Sequence, residues 1–182
     1  MAPHLSEKEK RELREILRKK LTQKVELILI LDKKNNEEFS ELAEHLAKEV
    51  MEACEMVSFE FVDANSETGK GYLSKYESVL TTKTKGPIMF FKNKPNIVYF
   101  GFPIGLEFPV FMDDLEAISK NQVSINLNVA KKISKINSQL DVLVFVTSSC
   151  PYCPLMTHPL HKFAFINDKI NGILVQAEFF ND

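Results

Sequence analysis

The alternation of apolar and polar residues along the chain predicts helices and strands in a regular order. Ser6 and Glu9 form the pattern of a capping box, and the apolar residues that follow fall on one helical face. The run "VELILIL" at 25–31 has the length and continuous apolar character of a strand buried on both faces. A helix after Asn36 and an alternating strand at 57–63 come next. This order predicts a parallel strand pair joined by a crossover helix.

A polar helical stretch near 67–80 precedes a change of pattern. "GPIMFF" and "NIVYF" predict the two strands of a hairpin, separated by the turn "KNKPN". A helix through "LEFPVFMDDLEAI" follows. The order strand, helix, strand, helix, hairpin, helix resembles that of a thioredoxin fold.

The pattern then restarts at an offset of about 115 residues, which indicates a tandem duplication. "DVLVFV" matches "ELILIL" and predicts a second buried strand, while the helix after Pro154 matches the helix after Asn36. "GILVQAEFF" matches "VSFEFVD", so the second unit is expected to be truncated after strand-helix-strand. We therefore expect a complete thioredoxin-like unit at 1–120 and a partial one at 121–182. The partial unit would present an apolar edge in "ILVQAEFF" and pack against the first unit or a second copy.

Composition limits the classes of function. The 182 residues are 45% hydrophobic and 26% charged, with a net charge of −2, which does not favour binding to nucleic acid or anionic membranes. The apolar runs are too short to span a bilayer, and the polar start "MAPHLSEKEK" does not have the pattern of a secretory signal. We expect a cytoplasmic protein, whose cysteines serve chemistry or metal binding rather than structural disulfides.

Two cysteines separated by two residues follow the second predicted strand, in "DVLVFVTSSCPYCPL". A thiol at the junction of a strand and a helix lies near unsatisfied amide groups and the helix dipole, which favour its thiolate. Pro151 suits a first helical turn because it has no amide hydrogen. Cys153 stands about one turn beyond Cys150, within reach of a disulfide. We interpret Cys150 as the nucleophile and Cys153 as the resolving thiol.

The same residues allow a second interpretation as a metal site. In this interpretation Cys150 and Cys153 would supply half of a tetrahedral zinc site, and His158 and His161 would be the remaining ligands. Both histidines lie on the same helix as Cys153 and do not readily converge on one ion, so we interpret them as exposed helix residues. Cys54, on the helix of the first unit, is interpreted as a small, partly buried side chain.

The doubled pattern and "TSSCPYCPL" in the second unit, with "YFGFPIGLEF" and Gly86-Pro87 in the first, resemble the archaeal protein disulfide oxidoreductases. These are glutaredoxin-like proteins with tandem thioredoxin folds. The resemblance implies that Cys150 and Cys153 are the redox pair, supported by the intervening Pro151 and Tyr152. It also implies that Pro87 occupies the cis-proline position of the first unit. No cofactor and no metal are expected.

The chain departs from this family in its first unit. Many members carry two cysteines in both units, but here Asn36 and Phe39 stand where the first pair would be. Neither side chain exchanges disulfides, so we expect the first unit to be a scaffold or a substrate-binding surface beside Pro87.

Two functions follow from these observations. The first is a thiol–disulfide oxidoreductase acting on protein disulfides, with glutathione or a protein resembling thioredoxin reductase as the electron donor. The second is a redox-inactive remnant or interaction module of the same family, because the truncation removes elements that hold substrate. Self-association through the truncated unit is a further expectation.

Overall fold

A computed structural model describes residues 6–80, 83 and 85–180 of the chain. The helices are α1 Glu7–Lys20, α2 Glu37–Ala53, α3 Glu67–Leu73, α4 Phe108–Lys120, α5 Leu127–Ile133 and α6 Cys153–Ile166. The strands are β1 Val25–Leu31, β2 Val57–Asp63, β3 Ile88–Phe91, β4 Lys94–Phe100, β5 Leu140–Val146 and β6 Ile170–Gln176. Short 3-10 helices are formed by Ser74–Tyr76, Gly105–Glu107 and Ala177–Phe179.

The strands form one six-stranded sheet in the order β2-β1-β3-β4-β6-β5. β1 pairs in parallel with β2 and antiparallel with β3, and β3 and β4 form the predicted hairpin. β6 then pairs in parallel with both β4 and β5. The predicted α/β class is confirmed. The residues predicted to form a second unit pack against those of the predicted first unit through the β4–β6 ladder. The boundary at residue 120, between α4 and α5, stays a prediction.

Two apolar cores lie on opposite faces of the sheet. The larger core contains the buried faces of α1, α2, α4 and α6, and the aromatic side chains of Tyr99, Phe102 and Phe111 pack at its centre. The smaller core lies under α3 and the 3-10 turn that carries Tyr76. Helices therefore cover both faces, as expected for a sheet whose strands are mostly apolar.

The sequence pattern at the start of α1 is explained by its hydrogen bonds. The Ser6 side chain accepts from the Glu9 amide at 3.3 Å, and Glu9 Oε2 accepts from the Ser6 amide at 2.8 Å. The predicted capping box of α1 is therefore confirmed.

The positions of β5 and β6 correct the prediction for the second unit. β5 was predicted to be a buried strand, but it lies at the edge of the sheet and most of its side chains are exposed or half-buried. β6 was predicted to present an edge, but it lies inside the sheet. Gly172 lets α6 pack closely on β6, because a Cβ there would lie 3.2 Å from Ala164 Cβ. An apolar run identifies a strand but does not specify its neighbours.

Other element boundaries differ from the predictions by a few residues. The helical stretch near 67–80 ends as an α-helix at Leu73 and continues as one 3-10 turn. The hairpin turn is shorter than "KNKPN", because β4 already begins at Lys94. The register of the hairpin shifts between Phe90 and Phe91, where the pairing is irregular.

Within residues 6–80, 83 and 85–180, none of the helices combines the length and the apolar character that a membrane-spanning helix requires.

Candidate redox site

The site is built where β5 passes into α6. β5 ends at Val146, and α6 begins at Cys153. Cys150 and Cys153 are joined by a disulfide, with their Cα atoms 5.6 Å apart, which is a usual separation for such a bond. Both residues are partly exposed. The structure therefore brings the two predicted cysteines together at the surface.

The start of α6 corrects the predicted place of Pro151. That residue was expected in the first helical turn, but α6 begins at Cys153 and the proline of its first turn is Pro154. Pro151 and Tyr152 lie before the helix and are exposed, with Tyr152 as its N-terminal flanking residue. Cys153 is the residue placed directly at the helix N-terminus, and Cys150 lies in the preceding turn.

The loop before Cys150 is held from two sides. The Ser148 amide donates to Glu178 Oε1 at 2.7 Å, and Ser148 O accepts from the Leu106 amide at 2.9 Å. Gly105 allows this approach, because its φ is +60° and a Cβ there would collide with Ser148 O. The linker between β4 and α4, residues 101–107, therefore forms one wall of the site.

Apolar side chains surround the cysteine pair at the surface. Leu106 on the linker and Tyr152, Leu155 and Met156 around the start of α6 are all exposed. Exposed apolar residues grouped in this way are typical of a surface that contacts another molecule.

A buried carboxyl group lies beneath α6. Glu107 has no exposed surface, and burial raises its pKa above the usual range. Among the described residues, neither of its carboxyl oxygens has a hydrogen bond of good geometry. The Thr157 hydroxyl lies beside it and lowers its pKa in part. Thr157 itself donates to Cys153 O at 3.2 Å, so this polar group lies one helical turn from Cys153.

The two histidines of α6 differ from the prediction that both are exposed. His161 is buried, and its Nδ1 lies 2.6 Å from Asp114 Oδ2. The same carboxylate oxygen accepts from the Tyr99 hydroxyl. His158 is half-buried, and burial and Lys162 lower its pKa. The sequence carries one signal for the buried position, because 157, 161 and 164 are spaced as one helical face.

Zinc binding receives no support from this arrangement. Among the described residues, no group of three or more histidine, cysteine, aspartate or glutamate side chains could hold a metal ion. The free thiol of Cys54 is buried at the end of α2, as a small core side chain.

Asn36, Phe39 and Pro87 form a second site in the first unit, which we call the first-unit site. The Gly86–Pro87 peptide bond is cis, as the family resemblance implies. Asn36 Nδ2 donates to Gly86 O at 2.9 Å and to Phe179 O at 2.8 Å. The Phe179 ring packs on Phe39 with their centroids 4.7 Å apart. The chain's own segment 177–180 therefore lies over the site, and Pro87 belongs to this site and not to the cysteine pair.

No protein-family model matches the sequence, and no curated protein matches it either. Solved structures do match. A protein disulfide oxidoreductase from Aeropyrum pernix has a TM-score of 0.82 at 24% identity, over 97% of this chain and 76% of that one. The alkylhydroperoxide reductase protein AhpF from Enterococcus faecalis has a TM-score of 0.77 at 20% identity, over 97% of this chain and 81% of that one.

The chain has a thioredoxin-like fold. A separate structure of the N-terminal domain of the Enterococcus faecalis protein has a TM-score of 0.76, over 96% of this chain and 81% of that one. At these identities the likeness concerns the fold, and at that level it confirms the predicted resemblance to the protein disulfide oxidoreductases.

Proposed function

We propose that this thioredoxin-like protein is a thiol–disulfide oxidoreductase that acts on protein disulfides through Cys150 and Cys153. The observation that carries the proposal is the disulfide between these two residues, partly exposed, at the junction of β5 and α6. A bonded pair at the surface can exchange with a thiol, and the same pair when reduced can exchange with a disulfide, whereas the buried Cys54 cannot.

The exchange has two steps that balance in atoms and electrons. In the dithiol form, the Cys150 thiolate attacks one sulfur of the substrate disulfide, and the other substrate sulfur leaves as a thiolate. The Cys153 thiolate then attacks Cys150 Sγ, which releases the first substrate sulfur and forms the Cys150–Cys153 disulfide. The substrate gains two electrons and two protons, and the protein loses them. The reverse sequence oxidises a substrate dithiol.

The local structure supports thiolates at both positions. The unsatisfied amide groups and the dipole at the start of α6 lie next to Cys153, which is the first residue of the helix. Cys150 lies in the turn that leads into the same helix end. The thiolate form of either cysteine is therefore more favoured here than it is for a free cysteine in water.

The surroundings of the pair support a protein as substrate. The exposed side chains of Leu106, Tyr152, Leu155 and Met156 offer an apolar contact surface beside the disulfide. For the return of electrons we propose glutathione or a reductase protein, and both need access only to the exposed disulfide.

The test is the reduction of insulin disulfides by dithiothreitol, with and without the protein. We expect the wild type to accelerate the reaction and Cys150→Ser to match the uncatalysed rate. Cys153→Ser should accumulate a mixed disulfide with insulin, because the resolving thiol is missing. Cys54→Ala is the matched control and should retain the wild-type rate, since Cys54 is buried and free.

A wild-type rate no higher than that of Cys150→Ser would leave the redox-inactive interaction module as the function. A thiol count in denaturant supplies an independent check of the oxidised state. The chain has three cysteines, of which Cys54 is free in the structure, so one thiol should react before reduction and all three after it.

A further inference from the structure

β5 is an edge strand with one row of open backbone groups. The Leu140 amide donates to Lys169 O at 2.8 Å, so Leu140 directs its backbone groups into the sheet toward β6. Because the direction alternates along a strand, Asp141, Leu143 and Phe145 direct theirs outward. β5 ends the sheet on this side, so within the described residues no strand pairs with these groups.

In the first unit, the edge of β1 that corresponds to the open edge of β5 is paired with another strand. β1 and β5 are both seven residues long and both pair in parallel with the second strand of their unit. The other edge of β1 is filled by β3, which pairs antiparallel over Ile88–Phe91. The backbone of Glu26 in β1 faces this partner, since the Lys92 amide donates to Glu26 O at 2.9 Å. By position in the strand, Glu26 corresponds to Asp141.

The chain segment just before this strand contacts Asn36 of the first-unit site. β3 follows Gly86, whose carbonyl accepts from Asn36 Nδ2 at 2.9 Å. Asn36 precedes α2 as Cys150 precedes α6. A strand bound to β5 in the same way would therefore bring the residue two positions before it to Cys150.

The exposed side chains along β5 indicate the chemistry of a strand that would pair with it. Phe145 is 68% exposed, and Leu140 and Val142 are also exposed. β5 carries no lysine and no proline, the residues that usually protect an edge from pairing. Asp141 is its one charge. In the first unit the corresponding Glu26 lies 3.7 Å from Lys92, which follows the apolar strand.

We propose that the β5 edge, residues 141–145, is a docking site for an extended segment of the substrate protein. The segment adds antiparallel to β5 and consists of a cysteine in a disulfide, one further residue, four apolar residues and a basic residue. Its apolar part pairs along 142–145, its basic residue meets Asp141, and its cysteine is delivered to Cys150. This inference rests on the proposed function and names the substrate class of the same site.

The test uses a peptide with the sequence of residues 86–92 in which Gly86 is replaced by cysteine, held as a mixed disulfide with thionitrobenzoate. The target is the reduced Cys153→Ser variant. The Cys150 thiolate attacks the peptide sulfur, a Cys150–peptide disulfide forms, and thionitrobenzoate leaves as a coloured thiolate. We measure the rate relative to a scrambled peptide of the same composition. In the scrambled peptide the cysteine no longer precedes the apolar residues, so delivering it to Cys150 sacrifices two or three of the strand hydrogen bonds. We therefore expect an advantage of about tenfold for the ordered peptide.

Phe145→Pro, in the same background, should abolish this advantage. Proline removes the outward amide of residue 145, but the inward bonds to β6 come from its neighbours and are kept. Phe145→Ala should retain most of the advantage because it keeps the amide. Phe61→Pro is the matched control, since Phe61 is a partly exposed phenylalanine on β2, the opposite edge of the sheet. It should leave the ratio of ordered to scrambled peptide unchanged.

An unchanged ratio in Phe145→Pro would overturn the docking site. So would a wild-type dimer that Phe145→Pro converts to a monomer in size-exclusion chromatography, because the occupant would then be a second copy.

A separate experiment distinguishes failure of the proposed function from failure of the docking site. The Cys150→Ser, Cys153→Ser double variant is titrated with a fluorescent peptide in which Gly86 is replaced by serine. Binding that Phe145→Pro weakens, without thiol exchange, contradicts the function alone, and absent binding contradicts the docking site.

Discussion

The side chain of Asn36 links the two predicted units, because it donates a hydrogen bond to the carbonyl of Phe179. Its amide nitrogen donates to Phe179 O at 2.8 Å and to Gly86 O at 2.9 Å. Asn36 stands where the family resemblance places a cysteine, so a group that could carry redox chemistry is replaced by one that binds two carbonyls. The first-unit site therefore contributes to the packing of segment 177–180, which in turn supports the cysteine pair through Glu178.

Asn36→Ala should destabilise the fold by about 1–3 kcal/mol. The substitution leaves the carbonyls of Gly86 and Phe179 without their donor, and both residues are buried. Urea unfolding followed by circular dichroism measures the change. Asn137→Ala, at an exposed position, is the control and should change stability by less than about 0.5 kcal/mol. A loss for Asn36→Ala no larger than the control's would show that the two bonds do not hold the units together.

The apolar patterns predicted the elements because each is a local property of the chain. The β1–α2–β2 order and its repetition in β5–α6–β6 follow from runs and spacings within single elements. The order of the strands in the sheet could not be predicted from these local patterns. β6 pairs with β4 through Ile97–Gly172 and three further pairs, and no periodicity in either strand encodes that partnership.

The cysteine pair of the site was predictable for the same reason, since its spacing is local. The burial of His161 was not, because its partner Asp114 is 47 positions away on another helix. The covering of the first-unit site depends on Phe179, which is 143 positions from Asn36. Contacts of this kind depend on how distant elements pack together, so they cannot be recognised in the residue pattern of either segment.

Asp114→Ala should cost about 3 kcal/mol or more, because it leaves two buried groups without a partner. Asp114 is the shared acceptor for the Tyr99 hydroxyl and the partner of His161 Nδ1. Tyr99→Phe removes only one bond and should cost about 1 kcal/mol. Urea unfolding of both variants gives the comparison.

The neighbouring Asp113 supplies the control for that comparison. It pairs with Lys20 at 2.7 Å but is half exposed, and Lys20 also pairs with Glu116. Asp113→Ala should therefore cost at most about 1 kcal/mol. Equal losses in Asp114→Ala and Asp113→Ala would contradict the role assigned to the buried network.

Glu107→Gln should stabilise the protein at neutral and alkaline pH. Burial raises the pKa of Glu107 above its value in the unfolded chain. The folded state then binds a proton that the unfolded state has released, so the wild type loses stability as pH rises from the unfolded pKa, near 4.5, through the folded pKa. Glutamine has no proton to release and avoids this loss.

Urea midpoints of the wild type and Glu107→Gln at pH 4 and pH 8 test this dependence. The urea midpoint of the variant should increase relative to that of the wild type as pH rises. Glu55→Gln, at an exposed position, is the control and should follow the wild type at both values. If the difference in urea midpoint between Glu107→Gln and the wild type were the same at pH 8 as at pH 4, ionisation of the buried carboxyl group would not destabilise the fold.

Glu178→Gln should show the opposite dependence on pH. Burial alone would raise the pKa of Glu178, but hydrogen bonds from the Ser148 amide and Gln176 outweigh burial and lower it. A lowered pKa contributes stability above the unfolded value, near 4.5, and that stability is lost as pH falls through the folded pKa. The wild type should therefore exceed Glu178→Gln in stability at pH 7, by about 1 kcal/mol or less, and the difference should shrink toward pH 3.

A second measurement places the effect at the site. Hydrogen exchange of the Ser148 amide should be faster in Glu178→Gln at pH 7, because that amide donates to the carboxylate at 2.7 Å. The Leu106 amide, which donates to Ser148 O from the other side, should be affected less. An unchanged exchange rate at Ser148 would show that Glu178 does not hold the loop before Cys150, and the pH dependence would then need another source.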